Sequence, residues 1–165
     1  MERRACESLS DAEVRGDPAA QADALHLLAS AHALCGDRAA ALTVLHQAIA
    51  ASAAASGETS VRTAIHRAAL GTLLIDAGER SAAQDQLTRA HTAFEHDTPT
   101  APTAHVMVLD ALAGLARASG DYGAASAWLR AALARGDHPG VAPAVANITR
   151  HNQASLALAT AMRLS

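Results

Sequence analysis

Leu112-Ala113-Gly114-Leu115-Ala116-Arg117-Ala118-Ser119-Gly120-Asp121-Tyr122-Gly123-Ala124-Ala125 decides the fold, because its spacing of large, small and turn residues occurs twice more upstream. Leu129 and Ala132 complete this copy. The copy before it holds Leu70-Gly71, Leu74, Gly78-Glu79-Arg80, Ala83, Leu87 and Ala90. The first holds Leu28-Ala29, His32, Gly36-Asp37-Arg38, Ala41, Leu45 and Ala48. Their turn glycines stand 78 − 36 = 42 and 120 − 78 = 42 residues apart. Three ungapped copies at one period mark a repeat architecture, in which each unit buries its apolar face on its neighbours.

The positions have separate tasks. The glycine ends a helix in the left-handed conformation that costs little only without a Cβ. The acidic residue after it opens the next helix, where a carboxylate accepts orphan amide protons at the favourable end of the dipole. Small residues at Ala29, Gly71, Ala113, Ala41, Ala83 and Ala125 let two antiparallel helices touch, and Leu45, Leu87 and Leu129 fill the space beside them.

Composition agrees. Half of the 165 residues are hydrophobic but only 2% are aromatic, so the core must be built from Ala, Leu, Val and Ile. That supply suits close-packed helices rather than a β-sandwich. A net charge of −3 leaves no electrostatic footprint for nucleic acid, and Arg3-Arg4 is too short to change this. No apolar run is read as a membrane span, and no signal peptide is visible. Cys6 and Cys35 have no metal-type spacing, which suits a cytoplasmic protein with reduced thiols. The Ala- and Arg-rich composition points to a GC-rich bacterial source.

These positions resemble the tetratricopeptide repeat (TPR) family, with its large-small pair, its turn glycine followed by an acidic or aromatic pair, and its small-large-small series. Gly120-Asp121-Tyr122 with Ala125, Leu129 and Ala132 matches best. The family's aromatic after the small pair is replaced by His32, Leu74 and Ala116, and its inter-repeat proline is missing. The 42-residue period resembles the long variant in sensor regions of large bacterial transcription regulators and in kinesin light chains. The resemblance covers roughly residues 20–135. It implies an all-α fold: a right-handed α-solenoid of three TPR-like helical hairpins with flanking N- and C-terminal helices.

On this reading residues 1–165 form a single domain, with repeats near 19–56, 60–96 and 103–135. Capping helices are expected near 2–14, with Ala5 and Leu9 inward, and near 141–165. Ser60 is placed as a helix cap, and Asp97-Thr98-Pro99-Thr100-Ala101-Pro102 as a loop.

The resemblance also implies that the first helix of each hairpin lines a concave groove. The groups nominated there for binding are Asp23, His26, Ser30, Thr72, Asp76, Met107, Asp110 and Arg117, among further groove positions that include Leu34, Ile65 and Ile75, with Ala68 and Gly114 making room. The basic and asparagine clamp that some members use for a peptide carboxylate is absent, because those positions carry His26, Ser30, Ala68 and Thr72.

No Gly-x-Ser-x-Gly, Walker-type or dinucleotide fingerprint occurs, so no catalytic residue and no cofactor is nominated. Nine histidines invite a metal reading, yet no two stand at i, i+4 on one helix and none sits in His-Glu-x-x-His, so no metal is expected. His32, in a structural aromatic's place, is expected to be packed. The polar stretch Asn147 to Gln153 is either a solvated face or a group that reaches a ligand.

The leading functional expectation is a scaffold that binds a peptide or protein partner in the groove, without direct nucleic-acid or membrane binding. A second is a ligand-sensing fragment or accessory protein of a bacterial transcription regulator. A third is a small-molecule-binding protein or enzyme using His26, Asp76, Asp110 and Arg117. Apolar solenoid ends also allow homo-oligomerisation.

Overall fold

Capping chemistry written into the sequence sets the helix boundaries. The computed structural model describes residues 4, 7, 10–12, 15–96 and 101–164, with 163 and 164 in backbone only. Among these, seven helices follow Gly16: α1 (Pro18–Leu34), α2 (Arg38–Ser56), α3 (Val61–Asp76), α4 (Arg80–His96), α5 (Pro102–Ala118), α6 (Tyr122–Gly136) and α7 (Pro143–Leu164). Asp17, Asp37, Ser60 and Asp121 each accept backbone amide protons at a helix start, Asp121 from the Ala124 N–H at 2.8 Å. Gly36, Gly78 and Gly120 have φ of 83°, 81° and 83°, the left-handed turn expected of them.

The chain is all-helical among the described residues, with no strand. Arg4, Glu7, Ser10, Asp11, Ala12 and Arg15 are helical too. Ala5, Leu9, Cys6, Arg3 and the loop residues 97–100 lie outside the described residues. Helix α5 begins at Pro102, which occupies the first turn where its missing N–H costs nothing.

Two compact units are present, Met1–Ala93 and Phe94–Ser165. In the first, α1 packs on α2 and α2 on α3. Ala41, Leu45 and Ala48 of α2 are buried, as are Ala83, Leu87 and Ala90 of α4. A hydrogen bond of 3.1 Å from Arg67 to Gln86 ties α3 to α4. Helix α2 qualifies the expectation about membrane spans: by length and composition alone it is apolar enough to cross one. It buries one face, through Ala41, Leu45, Ala48, Ile49 and Ser52.

In the second unit α6 packs on α5, and α7 packs on both. Val106 and Leu109 share a cluster with Ala132, Val141 and Ala146, and Ala113 shares one with Ala125, Leu129 and Leu156. The single Trp, Trp128, borders both clusters.

The repeat is visible in burial as well as in sequence. Helix α3 buries Thr63, Ala64, His66, Arg67, Leu70 and Gly71; adding 42 gives His105, Val106, Val108, Leu109, Leu112 and Ala113, all buried in α5. Helix α7 continues part of this series one residue early. Ala146, Thr149 and Leu156 are buried and stand 146 − 105 = 41, 149 − 108 = 41 and 156 − 115 = 41 residues after buried positions of α5. Val106 and Leu109, which α6 helps to cover in α5, correspond at the same offset to exposed Asn147 and Arg150. The exposed side of α7 mixes polar Asn147, Arg150 and His151 with large apolar Ile148, Leu158 and Met162.

Candidate functional site

Two polar clusters collect five of the eight groove positions. In the second unit, α7 brings Thr149 and Asn152 up to α5. The hydroxyl of Thr149, itself fully buried, donates to Asp110 Oδ2 at 2.5 Å. Asp110 Oδ1 is buried and has no hydrogen-bond partner. Burial raises the Asp110 carboxyl above its ordinary value, and the Thr149 hydroxyl, with the Asn152 amide nearby, opposes the rise.

Asp110 forms one wall of a cleft of about 50 Å³ between α5, α6 and α7, with Gly114, Arg117, Asn152 and Leu156 around it. The exposed Arg117 has no hydrogen bond or ion pair among the described residues. A Cβ built on Gly114 would meet nothing within 4 Å, so the helix face there is open. Leu156 also borders a wider, mostly apolar groove of about 540 Å³ between α6 and α7, with Tyr122, Ser126 and Gln153.

In the first unit the imidazoles of His26 on α1 and His66 on α3 meet head to head. Their Nδ1 atoms are 3.0 Å apart and the ring centroids 5.1 Å. Asp23, three residues before His26, pairs with Arg62 at 2.6 Å, and its other oxygen lies 3.8 Å from His66 Nε2. That Nε2 is buried and without a hydrogen-bond partner. Ser30 turns its hydroxyl back onto the His26 carbonyl at 3.0 Å.

Burial lowers the pKa of both imidazoles. For His66 it falls to about 4, through burial first and then the neighbouring His26, with Asp23 opposing and Arg62 adding. Between pH 6.5 and 4 the unfolded chain therefore binds the proton that folded His66 refuses. Stability from this group is complete above pH 6.5 and drains away as pH falls toward 4, by ~3 kcal/mol for a shift of this size. Urea unfolding at pH 7 and pH 4 will show this loss in the native chain, beyond that of a His66→Leu variant. Parallel pH profiles for the two would refute it.

The remaining nominated residues join neither cluster. Thr72 is exposed and bonds its own helix at the Ala68 carbonyl, while Asp76 and Met107 are exposed. His32 is half-buried, consistent with a packed role, and Cys35 is exposed at the end of α1. Sequence reasoning missed His66, and it held Thr149 and Asn152 only as members of the polar stretch Asn147 to Gln153. The signal was one of spacing: His66 follows His26 by 66 − 26 = 40 residues and Thr149 follows Asp110 by 149 − 110 = 39, each close to one repeat.

An all-helical, repeat-patterned chain with polar clusters between α1 and α3 and between α5 and α7 is the class these features define. In fold the chain is similar to the crystal structure of BtubC (BKLC) from P. vanneervenii, with a TM-score of 0.77 at 20% identity. The likeness covers 88% of this chain and 58% of that one, so the chain spans less than two thirds of BtubC. No protein-family model and no curated protein matches the sequence.

Proposed function

We propose that this chain is a TPR-type scaffold, a right-handed solenoid of three hairpins with flanking helices, that binds an extended peptide segment of a cytoplasmic protein partner. The reading rests above all on the buried, unpartnered Asp110 Oδ1 in a cleft whose rim carries the unpaired Arg117. A buried acceptor left without a partner costs about 1–3 kcal/mol, which a donor on a ligand would relieve. An anionic ligand group would face the Asp110 carboxylate, and a cationic one would face Arg117. A peptide main chain offers both an N–H for Asp110 and a C=O for Arg117 and is neutral. The cleft admits only a small group, far below the ~300 Å³ at which pockets for drug-sized ligands begin. That favours a peptide laid along the helices over an enclosed small molecule.

Random peptides displayed against the immobilised chain provide the ligands for a test. Arg117→Ala and Gly114→Leu change open, unpaired positions, so neither is expected to lower the melting temperature. Leucine also raises helix propensity at position 114 by up to ~1 kcal/mol. Each variant is expected to weaken the enriched peptides at least tenfold, Arg117→Ala by removing donors and Gly114→Leu by filling the open face. Unchanged affinity in both would sink the assignment of this cleft.

A further inference from the structure

The histidine pair in the first unit fixes a second recognition group, and its identity follows from counting protons. Two Nδ1 atoms 3.0 Å apart cannot both carry hydrogen, nor can both be bare, if they are to bond. One donates and the other accepts. If His66 donated, its Nε2 would be a bare lone pair, buried and turned toward the Asp23 carboxylate 3.8 Å away. Two electron-rich atoms would then face each other without a proton between them. If His26 donates, His66 carries its proton on Nε2, where the partial positive charge faces Asp23. The second arrangement is favoured electrostatically. Arg62, the other charge at this contact, is already engaged by Asp23 at 2.6 Å.

We infer that His26 is held as its Nδ1–H tautomer, so that its Nε2 is a fixed hydrogen-bond acceptor reading a donor on a peptide that lies along the first unit. The recognition half rests on the peptide-binding reading above. His26 is half-buried, and its Nε2 is not among the buried atoms lacking partners, so this lone pair reaches solvent. The groups it accepts from are an amide N–H, a hydroxyl or an ammonium; a carboxylate or phosphate would meet it lone pair to lone pair. His66 acts through His26 and is a positioning residue.

Nitrogen-15 imidazole spectra of the full chain at pH 7 decide the tautomer without any ligand. The expected pattern is a protonated Nδ1 with a bare Nε2 on His26, and the reverse on His66. His26 protonated on Nε2 overturns the inference. In a His66→Leu variant His26 is expected to lose its fixed tautomer while the chain remains folded; an unchanged His26 spectrum would remove the positioning role. Peptides enriched on the native chain are expected to bind His26→Leu about five- to tenfold more weakly, with partial recovery in His26→Gln, whose amide oxygen again accepts. Equal binding by His26→Leu overturns the recognition role. If no peptide is enriched at all, the peptide-binding reading falls and the recognition role with it, while the spectra still judge the tautomer.

Discussion

Leu87→Ala will destabilise the chain by ~2–5 kcal/mol, and adding Gly71→Ala to it will restore part of the loss. Leu87 on α4 is 1% exposed and lies directly over Gly71 on α3. A Cβ built at position 71 would stand 2.6 Å from Leu87 Cγ and 2.8 Å from Cδ2, with the Ala83 carbonyl oxygen at 3.4 Å. Leu87 Cγ is a branch point packed in the core, so it has little room to yield.

Gly71→Ala alone gains ~1 kcal/mol of helix propensity and loses ~1–3 kcal/mol to overpacking, for a net destabilisation of up to ~2 kcal/mol. Once Leu87 is cut back to alanine, the new methyl at 71 enters the vacated space. The clash disappears, the propensity gain stays, and the cavity shrinks. The double variant is therefore expected to be more stable than Leu87→Ala alone, by ~1 kcal/mol or more. Urea unfolding of the four proteins measures this; additivity of the two single effects within ~0.5 kcal/mol would show that the residues do not share the space.

That contact also shows how far the sequence could be read. The Leu-Gly pair, the 42-residue frame and the turn glycines act through neighbours a few residues away, so their consequences were legible. Gly36, Gly78 and Gly120 do take positive φ, and Asp37 and Asp121 do cap their helices. What the frame could not say is how tight each hairpin is. Ala29 and Ala113 occupy the place of Gly71 in the other copies, and it is the packing of α4 on α3 that puts Leu87 in the space a methyl would need. The polar clusters were half legible. Family resemblance nominated Asp23, His26, Asp110 and Arg117, but the partners of the first three, Arg62, His66 and Thr149, stand about one period further along the chain. A residue so distant in sequence has its identity fixed by packing, not by local pattern. Thr72, Asp76 and Met107 were nominated on the same grounds, and the structure gathers them into neither cluster.

Thr63→Val will cost ~1–3 kcal/mol although it keeps the shape of the side chain, because it removes the centre of a closed hydrogen-bond network. Thr63 is fully buried at the first turn of α3. Its hydroxyl donates to the Gly57 carbonyl at 2.9 Å and accepts from Ser60 at 3.0 Å. With its one proton spent on Gly57, it must also accept from the fully buried Ser52 hydroxyl at 3.0 Å. Ser60 in turn caps α3 by accepting the Thr63 N–H at 3.2 Å. Every proton in the set has a place, and the network ties the end of α2 to the start of α3 across the turn where Gly57 takes a φ of 93°. Valine leaves the fully buried Ser52 hydroxyl without this partner, at a cost of ~1–3 kcal/mol, while the exposed Gly57 carbonyl keeps the Ser60 N–H at 3.3 Å. Ser52 can fold back on the carbonyl one turn earlier in α2, which offsets part of the penalty. Replacing both hydroxyl residues tests the mechanism: Ser52→Ala with Thr63→Val removes the donor along with its acceptor. The pair is expected to be more stable than Thr63→Val alone by ~1 kcal/mol in urea unfolding at pH 7. If Thr63→Val unfolds at the native urea midpoint, the network is not what holds this turn. If the second substitution only adds to the loss, the penalty does not come from an orphaned Ser52.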